Sequence, residues 1–260
     1  MKFVTTSLDH RGVATVTLNN PDKHNAFDDV VINELKQTFA ELNDNCDVRV
    51  VVLASNGKSF SAGADLNWMK RTANYSREEN LADAVALADM LKALNFMAKP
   101  TIARVQGATF GGGVGLVSCC DMAVAANRAV FSLSEAKIGM IPATIGPYVV
   151  AAIGQRAARR YFTTAGRFDA GEALNLGLVS QVVADEAALD AAIAELVEQL
   201  LTSGPAAVAA AKQLVFEVDG EITEQVISES CERIADIRVS AEGQEGLTAF
   251  LEKRSPAWVK

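Results

Sequence analysis

Apolar positions along the chain follow two rhythms. Short runs rich in β-branched residues recur at 13–18 (VATVTL), 48–54 (VRVVVLA), 100–105 (PTIARV), 121–126 (DMAVAA) and 177–183 (GLVSQVV). Runs of this length and composition predict strands. Between them the apolar residues recur every three or four positions. In 28–43, Val31, Leu35, Phe39 and Leu42 fall on one stripe, which predicts an amphipathic helix. Strands alternating with helices predict an α/β fold. From about Asp185 the pattern is helical throughout, with Leu189, Ile193, Leu196, Val197 and Leu200 on one stripe. Gly204 and Pro205 then separate it from a further helix, whose first turn suits the proline. Asp169 and Glu172 predict a capped start for a short helix that Gly177 ends. The chain therefore divides into 1–184 and a helical 185–260 with no low-complexity linker between them. The helical third is expected to pack on its own core, on a neighbouring subunit, or on both.

Half of the 260 residues are apolar, enough for one sizeable core. With 24 Lys and Arg against 32 Asp and Glu, the net charge of -8 excludes the basic footprint of a nucleic-acid or anionic-membrane surface. An anionic ligand must then be met locally. Cys46, Cys119, Cys120 and Cys231 show no C-x-x-C spacing, and His10 and His24 stand apart, so no metal site is expected. The opening MKFVTTSLDHRG lacks a signal-peptide core, and no stretch approaches the roughly 18 apolar residues of a membrane span. A soluble, cytoplasmic protein is expected.

Residues 106–119, QGATFGGGVGLVSC, place Gly111, Gly112, Gly113 and Gly115 within five positions. Gly107 to Gly112 has the P-loop gap, but Gly113 and Val114 stand where Lys and Ser or Thr should follow. No G-x-G-x-x-G fits the stretch either. A tight strand-to-helix turn is one reading. The other is access: with no side chains in the way, a carbonyl oxygen can approach the unpaired N–H groups of the first helical turn. Residues 59–69, SFSAGADLNWM, repeat the device with Ala62, Gly63 and Ala64 exposed before a second helix. Two such loops can share one developing oxyanion.

SAGADL (61–66) and GATFGGGVGL (107–116), with NPDKHNA (20–26) upstream and FSLSEAKIGMIP (131–142) downstream, resemble the crotonase superfamily of enoyl-CoA hydratases and isomerases. The resemblance covers nearly the whole chain. It implies a spiral of ββα turns as the acyl-CoA-binding core, a helical C-terminal region that trimerises, and a trimer or dimer of trimers. It implies an acyl-CoA thioester as substrate, with no other cofactor, whose carbonyl oxygen is held by the amides of Ala64 and Gly112. Lys23, Ala26 and the stretch Ala62, Asp65 and Leu66 match positions on the CoA side of the site. Phe250 and Lys253 match positions that cover the CoA of a neighbouring subunit. Three of these have ordinary alternatives: Lys23 and Lys253 as solvated charges, and Phe250 as a core residue.

Water addition needs a base for the attacking water and an acid for C2. Family hydratases usually supply two glutamates; here the downstream one is present as Glu135, while Gly115 stands at the upstream position. A lone desolvated carboxyl has a raised pKa and can shuttle a proton both ways. It can also serve an isomerase, or pair with Lys137 on an exposed turn, and a non-catalytic acyl-CoA-binding subunit is the further alternative. GADLNWM, GGGVGLVSCCDMAVA and IPATIGPYVVAAIGQRAARRYF look closer to methylglutaconyl-CoA and carboxygeranoyl-CoA-type hydratases than to straight-chain enzymes. The expectation is that Gly115 makes room for a 3-methyl branch and spares a distal substrate carboxylate a like charge. Pro142, Tyr148 and Trp68 are candidates for the acyl pocket, the two aromatics also reading as ordinary core.

Overall fold

The structure, a computed structural model, describes residues 2–259. It begins with the hairpin β1 (Val4–Leu8) and β2 (Val13–Leu18), followed by α1 (Asp29–Asp44). The next turn is β3 (Val50–Ser55), β4 (Ser59–Ser61), α2 (Leu66–Thr72) and α3 (Arg77–Asn95). Then come β5 (Thr101–Val105), β6 (Ala108–Phe110) and α4 (Gly112–Cys119), and after them β7 (Met122–Ala126), β8 (Val130–Ser132) and α5 (Gly146–Thr164). A last partial turn holds β9 (Arg167–Asp169), α6 (Ala170–Asn175) and β10 (Gln181–Val183). The tail is α7 (Glu186–Leu201), α8 (Pro205–Val218), α9 (Glu224–Val239) and α10 (Ala241–Glu252).

From β3 to β8 each ββα turn contributes its longer strand to a large sheet, ordered β1-β2-β3-β5-β7-β10, and its shorter strand to a small one, ordered β4-β6-β8-β9, while the β1–β2 hairpin lies wholly in the large sheet. The large sheet is parallel from β2 to β10, and only the β1–β2 hairpin is antiparallel. In the small sheet β4, β6 and β8 run parallel. This is the expected spiral.

The unbroken apolar runs are explained by burial on both faces of the large sheet. Val51, Leu53, Ala103, Val105, Ala123 and Ala125 face the main core, which also holds the α1 stripe. Their alternating neighbours Val50, Val52, Ile102, Val124 and Ala126 face a second core closed by Leu189, Ile193 and Val197 of α7. The first helix of the 185–260 region thus shares a core with the sheet.

The rest of the tail differs: no described residue of α8 or α9 is buried, and α10 buries only Ala249. Ile222, Val239, Phe250 and Leu251 are exposed. Four strand boundaries shift, those of the runs at 100–105 and 121–126 by one residue, to Thr101 and Met122. The run at 48–54 pairs from Val50, and that at 177–183 pairs only from Gln181, because Gly177, at φ 82°, is spent ending α6. Asp169 caps α6 by accepting the Glu172 N–H at 2.8 Å, but the Glu172 carboxylate accepts from the Tyr161 hydroxyl at 2.9 Å instead of closing a box. Among the described residues no helix is long and apolar enough to cross a membrane.

Candidate active site

The carboxyl ends of parallel strands are where open α/β sheets gather ligands. Here β4, β6 and β8 lie side by side, and just past their ends come Ala64, Gly112 and Glu135 respectively. The small sheet is therefore what brings together three residues far apart in sequence.

The two bare loops interlock. Gly113 lies so close to β4 that a Cβ there would fall 2.7 Å from the Ser61 carbonyl oxygen. A Cβ on Gly111 would lie 3.9 Å from Gly63 Cα. Gly111 starts α4 at φ 52° and ψ -117°, a region reserved for glycine, and Gly63 has φ 98°. Glycine is thus required twice over, for conformation and for approach. Among the described residues neither the Ala64 nor the Gly112 amide donates to a protein acceptor. Gly112 opens α4, where the aligned peptide dipoles add a positive field.

Glu135 begins a short 3-10 turn over 135–138 and meets the loops with its carboxyl group. A Cβ on Gly111 would sit 3.1 Å from Glu135 Oε1. Oε2 is buried without a hydrogen-bond partner, and burial pushes the carboxyl pKa up. No ion pair with Lys137 forms among the described residues. A carboxyl whose desolvation is left uncompensated is poised to take up and release a proton. The acid limb of kcat/KM is accordingly expected to lie above the usual carboxylate range: activity falls as pH drops through the raised pKa, because the base form is lost. A pH–rate profile of the wild-type enzyme and a Glu135→Gln variant checks this, since the limb should be absent from any residual activity of the variant.

Lys23 is not a free surface charge: its Nζ lies 2.8 Å from Asp65 Oδ2. The buried Asp65 carboxylate also caps α2, accepting from Asn67 N at 2.8 Å and Trp68 N at 3.1 Å, and the Lys23 ammonium holds its pKa down. Ala26 and Ala62 are half-buried, and the Ala62 N–H donates to the His24 carbonyl at 3.0 Å. Leu66 is exposed beside them. Trp68 and Tyr148 are half-buried against the main core, with the Trp68 indole N–H donating to Asp83 at 3.1 Å. Pro142 is buried. Phe250 is 81% exposed, which removes the core reading for it within one chain, and Lys253 ends α10 at φ 57°, exposed and remote in sequence from the loops.

One expectation is corrected. Gly115 leaves no vacant room: a Cβ there would fall 2.4 Å from Ile145 Cγ2 and 2.9 Å from Ile145 Cβ, with Leu91 behind. Hydrocarbon from Ile145, which caps the start of α5, and from Leu91 of α3, not space for a methyl branch, occupies the place. Two residues escaped the reading of the sequence. Buried Asn25 ties the 20–27 loop to β4, donating to Asn56 O at 2.8 Å and Ser59 O at 3.0 Å. Phe27 bridges to Ala64. Neither carries a signal beyond its place in NPDKHNAF.

Residues 9–260 match the enoyl-CoA hydratase/isomerase family. The carnitinyl-CoA dehydratase of Citrobacter koseri is 33% identical, over 96% of this chain and 95% of that protein. The crystal structure of an enoyl-CoA hydratase from Shewanella pealeana superposes with a TM-score of 0.95 at 49% identity, covering 98% of this chain and 96% of the other. An enoyl-CoA hydratase from Mycobacterium smegmatis superposes at 0.92 with 35% identity, over 99% of both chains. The spiral of ββα turns, the paired glycine loops and these likenesses together make the chain an enzyme of the enoyl-CoA hydratase/isomerase family, within the crotonase superfamily.

Proposed function

We propose that the enzyme adds water across the 2,3 double bond of an enoyl-CoA, with Glu135 as the only acid and base and with Ala64 and Gly112 as oxyanion donors. The observation that carries this is the placement of Glu135: its carboxyl lies against Gly111, one oxygen buried and unpartnered, where, among the described residues, two amides without a protein acceptor stand at neighbouring strand ends. Glu135 takes a proton from water as the water oxygen bonds to C3. The π electrons move to the thioester carbonyl, whose oxygen gains charge between the two amides. The enolate then collapses, and Glu135 returns the same proton to C2 on the same face. Both protons of the water are accounted for, and no cofactor beyond the CoA of the substrate is given a part.

The acyl chain is read as carboxylated and, on the resemblance of residues 63–69, 111–125 and 141–162 to methylglutaconyl-CoA-type hydratases and not on space at Gly115, as branched. Support for the carboxylate comes from the apolar surroundings of Gly115: where a second carboxylate would repel a substrate carboxylate, Ile145 and Leu91 present hydrocarbon. Lys23 and the 62–66 stretch are assigned to the CoA. The exposed apolar residues of α8–α10 are assigned to contacts between subunits in a trimer or dimer of trimers, which brings Phe250 and Lys253 against a neighbour's CoA.

A panel of enoyl-CoA thioesters, with and without a 3-methyl group and a terminal carboxylate, run in water enriched in heavy oxygen, tests the reading. Heavy oxygen at C3 and the highest kcat/KM for the branched carboxylated member are expected. A shifted double bond without label would establish an isomerase instead, the reaction a lone carboxyl also serves. A preference for crotonyl-CoA would overturn the branched assignment.

A further inference from the structure

The amides of Ala64 and Gly112 stand on different loops, so something must set their separation, and one residue touches both. Phe27 is buried, and its main chain pairs with Ala64 in a parallel bridge: its N–H donates to Gly63 O at 2.8 Å and its carbonyl accepts from Asp65 N at 2.7 Å. In such a bridge the bonds run to the residues flanking the partner, so Ala64 keeps its own N–H turned away and free. The ring of Phe27 lies on the other loop, where a Cβ on Gly112 would fall 2.8 Å from its Cε2 and 2.9 Å from its Cδ2.

We propose that Phe27 is the positioning residue of the oxyanion site, its main chain holding Ala64 and its ring setting how far Gly112 stands from it. The hold is braced on both sides, by the Ala62 N–H on the His24 carbonyl at 3.0 Å and by the Lys23–Asp65 pair at 2.8 Å. It rests on the assignment of Ala64 and Gly112 as the donors. Phe27 acts through those amides and touches no reacting atom. It matters because hydrogen bonds aimed at a developing charge lose their worth when misplaced by about 1 Å, at a cost of roughly 10²-fold in rate.

Infrared spectra of bound butyryl-CoA, which cannot react, read the carbonyl directly, and kinetics with an enoyl-CoA read the consequence. In the wild type the thioester C=O stretch is expected to fall on binding. In Phe27→Leu, with circular dichroism and Tm confirming the fold, the fall should shrink and kcat should drop roughly 10-fold to 10²-fold with KM little changed. Gly112→Ala, whose methyl would press on the ring, should also lose turnover, and combining it with Phe27→Leu should recover part of that loss. Phe27→Met serves as the second variant if Phe27→Leu folds poorly. A folded Phe27 variant with the full carbonyl shift and wild-type kcat would overturn the proposal while leaving the donors intact. A wild-type spectrum with no shift would instead overturn the donor assignment itself, and the proposal with it.

Discussion

Glu135→Gln is expected to lower turnover by about 10²-fold to 10⁴-fold, the usual worth of a positioned acid or base, while the chain keeps its fold. Gln retains the size and one acceptor oxygen, so the fit against Gly111 is preserved; only the titratable proton is gone. Stability should move the other way. Burial raises the Glu135 pKa, so the folded state binds the proton more tightly than the unfolded chain does. Below the ordinary glutamate value, about 4.3, the group is protonated in both states and exerts no bias. As pH rises from there through the raised folded value, the folded state must carry an unfavourable buried charge that the unfolded state does not, and stability is lost. Replacing the carboxyl removes that penalty, on the order of 1 kcal/mol for a partly buried, unpartnered group. At this chain size that corresponds to roughly 2–4 °C in Tm at pH 8, with little difference near pH 4. Thermal melts of both proteins across this range, set beside their kcat values, provide the check. Loss of activity together with loss of stability at pH 8 would mean that Glu135 supports the fold and does not serve the reaction.

Elements with many residues were readable before the structure. The α1 stripe of Val31, Leu35, Phe39 and Leu42 is buried as its spacing predicts, and the run at 13–18 is a strand throughout, those at 100–105 and 121–126 from their second residue. The small sheet was nearly invisible, because its strands β4, β6, β8 and β9 have three residues each, too few for a period of two to register. Yet this sheet carries the candidate site. The bare loops could be found from glycine spacing, and Glu135 through the motif that holds it, since both lie in contiguous sequence. Phe27 on Gly112 and Ile145 on Gly115 could not, because each contact joins segments that only the spiral brings together. A lysine in a loop likewise looks solvated until Asp65, far along the chain, is seen to hold it.

Gly115→Glu is expected to fail first as a fold and only then as a catalyst. Its Cβ would overlap Ile145, at 2.4 Å from Cγ2 and 2.9 Å from Cβ, with Leu91 Cδ2 already in contact at 3.6 Å. Overpacking of this kind costs about 1–3 kcal/mol. A carboxylate left without a partner among hydrocarbon side chains adds roughly 1–3 kcal/mol more, or gives up its charge. The sum is a sizeable share of a domain's net stability, so a Tm lowered by about 10 °C or a loss of soluble protein is the expected result. Cutting Ile145 back separates the two terms: Gly115→Glu with Ile145→Ala removes the overlap and should recover part of the Tm. In the double variant two carboxyls would flank the site, and like-charge repulsion should raise the acid limb of the pH profile beyond its wild-type position. A substrate with a distal carboxylate should then lose more kcat/KM than crotonyl-CoA does. A Gly115→Glu protein as stable as the wild type would show that Ile145 does not fill this place, and equal losses for both substrates would remove charge as the reason for an apolar wall there.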